Sequence, residues 1–468
     1  MRSRGLLLAA VLAIAGCTSD PPGVDGADAS AVGPIDETTE TIVGEQDGDS
    51  DDEVPEALAF AEQDEEAKAV GEPGEDNFAS DSSDDDALEP TSGVDAEPRS
   101  EGDDNAEGEP DVEGSEPATT GDVGIDARID ELIDFVEAER GLSFRERPAI
   151  ELLDNEAFGA AWTQIVTANA TANSQEYTNF TDIYRALGVI EGDFTLEEVW
   201  LRFGDAGVIG FYDTSSKVIK LRSGDFNLFT ETVLVHELVH ALEDQVFGLA
   251  LPQSDDGGES DWAYSALVEG SALRVESAFR ATLSADELAE ESAAREQIPR
   301  TVSFSEFTPS FLELQFGRYR YGETFVAELW EVGPEALEDA YDSPPETSEA
   351  ILDPAGYLAG SLDPDDVPLP PADGDVFESG IWGQAAWAAL FNDVVSRIDA
   401  EDAADGWDGD SYVAWRQAGQ TCVRSHLVAD TPQQLDDFAV MLEEWASFSS
   451  NREVFYPTAD LIRVTACG

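Results

Sequence analysis

The sequence predicts an α+β fold over residues 126–468, mainly helical, with a small sheet and a hairpin set beside one buried helix. Three observations predict it. Apolar residues recur at helical spacing through much of the stretch to about residue 395; two alternating runs flank a polar turn at 213–216; and short strand-like segments crowd the end of the chain.

Before that domain come two segments of another kind. Residues 1–16 place Arg2 and Arg4 ahead of an apolar run from Leu6 to Ala15. Ten apolar residues are too short for a permanent membrane helix, so 1–16 read as an export signal that is removed. Ile14-Ala15-Gly16-Cys17 closes the run and resembles the bacterial lipobox. That resemblance implies lipidation of Cys17, membrane attachment through it, and an extracytoplasmic place in the cell envelope. Residues 17–125 hold 36 acidic side chains against only Lys68 and Arg99, with few large apolar residues. Such a chain buries too little apolar surface to offset its ordering entropy, so it is expected to be an acidic, disordered tether.

Beyond residue 125, 66 acidic residues face 20 basic ones. A surface this acidic excludes nucleic acid as a partner, because phosphate binding requires basic patches. It suits high salt or positively charged substrates. About 340 residues are enough for one large core or two closely packed lobes.

The elements follow in order. IDARIDELIDFVEAERGL has helical apolar spacing and stops at Gly141. RPAIELLD reads as a short strand and EAFGAAWTQIVTANA as a helix. In AGVIGFYDTSSKVIKL, two alternating runs around Asp213-Thr214-Ser215-Ser216 form a hairpin signature. Leu228 to Phe247 runs without Gly or Pro and is capped by Gly248. A loop, PQSDDGGES, leads to a second long helix, DWAYSALVEGSALRVESAFRATL. Helices continue to about Val395, broken by two Pro- and Asp-rich stretches. The end mixes strands in SYVAWRQ, TCVRSHLVA and LIRVTAC with a helix in TPQQLDDFAVMLEEWASF. Asp405 to Asp410 is acidic but misses calcium-loop spacing, so it reads as an ordinary turn. With Cys17 lipidated, Cys422 and Cys467 remain as an even pair in an oxidising compartment and read as one disulfide.

The helix at 228–247 carries the chemistry. It contains LVHELVHALEDQ, with His236, Glu237 and His240 in an H-E-x-x-H pattern, in a chain of only three histidines. Residues four apart share a helix face, so both imidazoles can reach one metal, and Glu237 can reach a water there without being a ligand. A catalytic zinc needs a third protein ligand and an open position. Two acids compete for that role. Asp261 sits in GGESDWAYS, which loosely resembles the G-T-x-D-x-x-Y-G stretch of aspartate-type zinc peptidases. Glu269 sits in YSALVEGSALRVE among small and apolar residues. Eight helical residues separate them by about 12 Å, so one zinc cannot use both. The reading takes Glu269, since an unpaired acid on an apolar face is costly.

This H-E-x-x-H helix followed by a glutamate-bearing helix resembles the gluzincin class of zinc metallopeptidases. HELVHALEDQ, ALVEGSA, GFYD, YGETFV and AYDSPPETSEAILDP are also similar to a group of bacterial exported proteins. Those carry H-E-x-x-H-A-L-Q-D-Q, V-E-G-D-A and P-P-x-S-T-E-Q-x-L-H-P segments. The resemblance implies a zincin-like fold, Zn2+ held by His236, His240 and Glu269, and Glu237 as catalytic acid/base. Glu243, Ser271 and Asp353 depart from that pattern, where Gln, Asp and His are expected, and Leu273 stands where a thermolysin-like Asp would be.

Four further side chains are expected near the site. Asp244 is placed to orient an imidazole, Tyr321 and His426 to stabilise an oxyanion, and Tyr212 or its backbone to line a cleft where an edge strand pairs with an extended substrate. The function expected is hydrolysis of peptide bonds in a peptide or protein substrate. The alternative is a non-catalytic envelope binding or scaffold protein that retains a zinc site.

Overall fold

A helix hydrophobic on every side has to be buried on every side, and the fold is arranged around one. The computed structural model describes residues 10–14, 120–222, 226–251, 256–297 and 302–468. Cys17 and the tether as far as residue 119 lie outside the described residues. Strand β1 (Ala10–Ile14) precedes helix α1 (Val123–Arg140), which Asp122 caps by accepting from the Gly124 and Ile125 N–H groups. Next come β2 (Ala149–Leu153), α2 (Asn155–Ala172), α3 (Ser174–Leu187) and α4 (Leu196–Gly207). Then β3 (Val208–Asp213) and β4 (Val218–Arg222) form the expected hairpin.

Helix α5 (Leu228–Val246) follows, and every side chain from Phe229 to Glu243 is buried. Sheet residues Ile209, Ile219 and Leu221 cover one flank of it and α1 residues Ile129, Leu132 and Val136 another. Helix α6 (Glu259–Thr282) supplies the third cover through Ala272, Val275 and Phe279. The first sheet runs β1-β3-β4-β2, antiparallel except for the parallel β2–β4 pair.

After α7 (Ala285–Glu296), helix α8 (Pro309–Val332) crosses α6 at backbone contact. A Cβ on Gly270 would lie 2.0 Å from the Gly322 carbonyl oxygen, and one on Gly322 would lie 2.0 Å from that of Ala266. Both residues therefore have to be glycine, which accounts for VEG and YGE in the sequence. Short helices α9 (Pro334–Asp342), α10 (Ser348–Leu352) and α11 (Pro354–Ala359) follow.

The C-terminal part is a five-stranded antiparallel sheet of β5 (Asp375–Gly380), β6 (Trp407–Gln417), β7 (Gln420–Ala429), β8 (Arg452–Thr458) and β9 (Leu461–Cys467), in the order β5-β6-β7-β9-β8. Helices α12 (Gly383–Phe391) and α14 (Pro432–Ser447) pack against it through Trp387, Phe391, Phe438 and Trp445, and α13 (Arg397–Ala404) packs on those two helices. Cys422 and Cys467 face each other on β7 and β9 and form the expected disulfide. The molecule is α+β, as expected, but β5 and β8 are additions to what the sequence suggested. The Asp405–Asp410 stretch is not a simple turn. It enters β6, and Asp410 is a buried carboxylate that accepts from the Trp382 and Gly383 backbone N–H groups and the Trp387 and Trp407 indoles. No helix among the described residues is long and apolar enough to cross a membrane.

Candidate metal centre

One turn of α5 separates His236 from His240, and their rings meet edge to face with centroids 4.7 Å apart. Both are essentially excluded from solvent. Glu269 reaches them from α6: its Oε2 lies 3.2 Å from His236 Nε2 and 3.5 Å from His240 Nε2. The possible ligand atoms of the three residues all lie within 4.8 Å of one another, the one such cluster among the described residues. This buried group can hold a metal ion. Asp261, the competing acid, lies two turns earlier on α6 and is not part of it.

A residue the sequence reading missed completes the second layer. Glu276 Oε2 lies 3.1 Å from His236 Nδ1 and so fixes the ring that offers Nε2 to the cluster. Its signal was the seven-residue spacing from Glu269, which returns a side chain to the same helix face. Tyr319 of α8 stacks over His236 with centroids 6.3 Å apart. Glu237, the residue next to His236, is fully buried, and its carboxylate lies against β3. A Cβ on Gly210 would come within 3.3 Å of Glu237 Oε1 and 2.7 Å of Val233. The glycine of GFYD is what lets the sheet approach that carboxylate.

The electrostatics describe a closed polar pair. Burial pushes the His236 imidazole down, but hydrogen bonds to Glu269 and Glu276 outweigh it and lift its pKa to about 10. Burial likewise raises Glu269, but the two histidines hold it at about 2. His240 is lowered, chiefly by burial, and its Nδ1 finds no hydrogen-bond partner among the described residues. A proton on His236 neutralises Glu269, and a metal ion bound there would take the place of that proton.

The departures at Glu243 and Ser271 belong together. Ser271 Oγ donates to Glu243 Oε1 at 2.5 Å, Tyr341 donates to Oε2 at 2.5 Å, and Arg140 Nε pairs with Oε1 at 2.7 Å. This buried cluster ties α1, α5, α6 and α9 together behind the metal ligands. Asp353 caps α11 by accepting from the Gly356 N–H.

The four expected neighbours are engaged elsewhere. Asp244 does not orient an imidazole: it accepts from Tyr212 at 2.6 Å and pairs with Lys217 at 2.6 Å, which pins the hairpin to the end of α5. Tyr212 is accordingly buried and not exposed in a cleft. Tyr321 donates to Glu401 at 2.5 Å and packs on Trp262. It is Tyr319, one half-turn earlier, that meets the histidines. His426 lies in the C-terminal sheet, where Nδ1 donates to the Pro368 carbonyl and Nε2 accepts from Arg463. Comparison with known family models, curated proteins and solved structures gave no match.

Proposed function

We propose that the chain is a zinc-dependent, gluzincin-like metallopeptidase, exported and held at the cell envelope through Cys17. One observation carries this reading. Ligand atoms at 2.0–2.2 Å from a tetrahedral zinc stand about 3.4 Å apart, and the two Glu269–histidine separations are 3.2 and 3.5 Å. Three protein ligands leave a fourth position open, as a catalytic zinc requires and a structural one does not. Bound there, zinc supplies Lewis acidity toward a water and a scissile carbonyl.

The chain's own residues supply the rest. His236, steadied by Glu276, and His240 orient the site from α5, and Glu269 closes it from α6. Glu237, one residue from a ligand but not itself one, takes the proton of the attacking water and returns it to the leaving nitrogen. The β3 edge supports an extended substrate: Ala10–Ile14 pairs along it antiparallel, with Leu12 opposite Phe211. Removal of an export signal containing that segment frees the edge for another chain.

The test is cleavage of a mixed peptide library by the zinc-loaded protein and by Glu237→Gln. The wild type should cut and the variant should be slower by about 10²–10⁴-fold at unchanged zinc content. A zinc-replete wild type that cuts nothing, at low and at high salt, leaves the binding or scaffold alternative.

A further inference from the structure

A second cavity opens at the N-terminal end of α6. Four carboxylates line it, Glu176, Glu259, Asp261 and Glu378, and no basic side chain does. Phe180, Trp262 and Trp382 supply aromatic walls. Its volume of about 80 Å³ is several times what a single water needs.

The acids are not equivalent. Glu259 is locked: its Oε1 accepts from the Ser348 N–H at 2.6 Å and from Ser348 Oγ at 2.7 Å. Gly383 has to lack a Cβ because one would fall 1.9 Å from that carboxylate. Asp261 is only 8 % exposed, yet its Oδ1 is sealed from solvent and has no hydrogen-bond partner among the described residues. A buried carboxylate oxygen left without a donor is among the costliest features a fold can keep. Burial, with the neighbouring Asp256 charge, pushes Asp261 up to about 7, and burial pushes Glu259 up to about 8.

We propose that this cavity binds an organic cation, an alkylammonium or guanidinium group, with Asp261 as the carboxylate that pairs with it, and that the substrate of the metal centre presents that cation. A metal ion is the wrong occupant. These carboxylate oxygens do not converge to within the 4.8 Å that the histidine–glutamate cluster satisfies, whereas a cation with a wider body can bridge them. Aromatic faces also favour a weakly hydrated organic cation over a metal ion.

The substrate link rests on the peptidase reading. Trp262 and Glu269 lie seven residues apart on one face of α6, and Asp261 is about 12 Å from the metal ligand along the helix. An extended peptide advances ~3.3 Å per residue. A lysine or arginine within about four residues of the cut bond can therefore reach the cavity.

The experiment uses zinc-loaded Glu237→Gln protein and three probes: n-butylguanidinium, n-butylammonium and uncharged n-butylurea. Calorimetry should show both cations binding and the urea not. Asp261→Asn, introduced in addition, should weaken the cations about tenfold or more without lowering the melting temperature. Equal binding of urea and guanidinium overturns the proposal, and this comparison needs no folded Asp261 variant. Unchanged cation affinity in a folded Asp261→Asn protein overturns it too. With the wild type, cleaved library peptides should be enriched in Lys or Arg within about four residues of the cut, and Asp261→Asn should abolish the enrichment. Cleavage without enrichment refutes the substrate link. Cation binding with no cleavage at all supports the cavity and sinks the peptidase reading.

Discussion

His240 and His426 are both buried, but the protein treats them in opposite ways. On β7, His426 has both ring nitrogens engaged, with Pro368 and Arg463. On α5, His240 has an Nδ1 with no partner and an Nε2 that meets Glu269 only at 3.5 Å. The acids repeat the contrast. Asp410 collects four N–H donors beneath the C-terminal sheet, while Asp261 at the head of α6 keeps a sealed oxygen with none. At His426 and Asp410 the chain completes its own polar groups, which is what a structural core requires. At His240 and Asp261 a buried polar atom finds no hydrogen-bond partner among the described residues.

The contrast is sharpest in metal binding. His240→Ala should lose essentially all bound zinc, and His426→Ala should keep about one zinc per chain, as read by metal analysis after gel filtration. Comparable loss in both variants would erase the distinction between the two histidines.

Gly270→Val breaks the α6–α8 contact, because the added Cβ meets backbone and not a movable side chain. It should cost about 3 kcal/mol or more in denaturant unfolding and take the zinc site with it. Gly248→Ala is the control. Its φ of +80° strains an alanine, but a Cβ there meets nothing within 4 Å, so the cost should be nearer ~1 kcal/mol.

In the C-terminal sheet, opening the Cys422–Cys467 bridge with a double serine substitution removes a staple across a sequence separation of 45. Stability should fall by about 3 kcal/mol with zinc content unchanged. Zinc loss on reduction would mean that this sheet and the metal site are coupled more tightly than their separate polar networks imply.

The smallest effect concerns pH. Glu259 is held up at about 8 by burial, so the folded chain keeps a proton that the unfolded chain releases above about 4.5. Its contribution to stability is full below pH 4.5 and is lost as pH rises through 8. The melting temperature should therefore fall between pH 5 and pH 8, and Glu259→Gln should flatten that slope. An identical slope in the variant would place the titration elsewhere.

Much of the site was legible in the sequence because its parts are local. The i, i+4 histidines, the intervening Glu237 and the Gly/Pro-free helix all lie within one stretch. Helical rise shows that one metal cannot use both Glu269 and Asp261, and the small and apolar neighbours of Glu269 select it. Positions that depend on tertiary approach were not legible. Asp244 is placed correctly for an imidazole by spacing, yet the β3–β4 hairpin takes it through Tyr212 and Lys217. Tyr321 and Tyr319 differ by two residues, and only the α6–α8 crossing decides which one faces the histidines. Strands β5 and β8 were hidden for another reason. Exposed, Pro- and charge-bearing edge strands such as REVFYPT lack the alternation that marks a covered one.

The central claim is that His236, His240 and Glu269 close on one metal and leave a position open. X-ray absorption at the zinc edge of the reconstituted protein tests it most directly. The account predicts about one zinc per chain with two imidazole nitrogens, one carboxylate oxygen and one light-atom position that a small thiol exchanges for sulfur. A shell with four non-exchangeable ligands, or full zinc retained in Glu269→Ala, would contradict it.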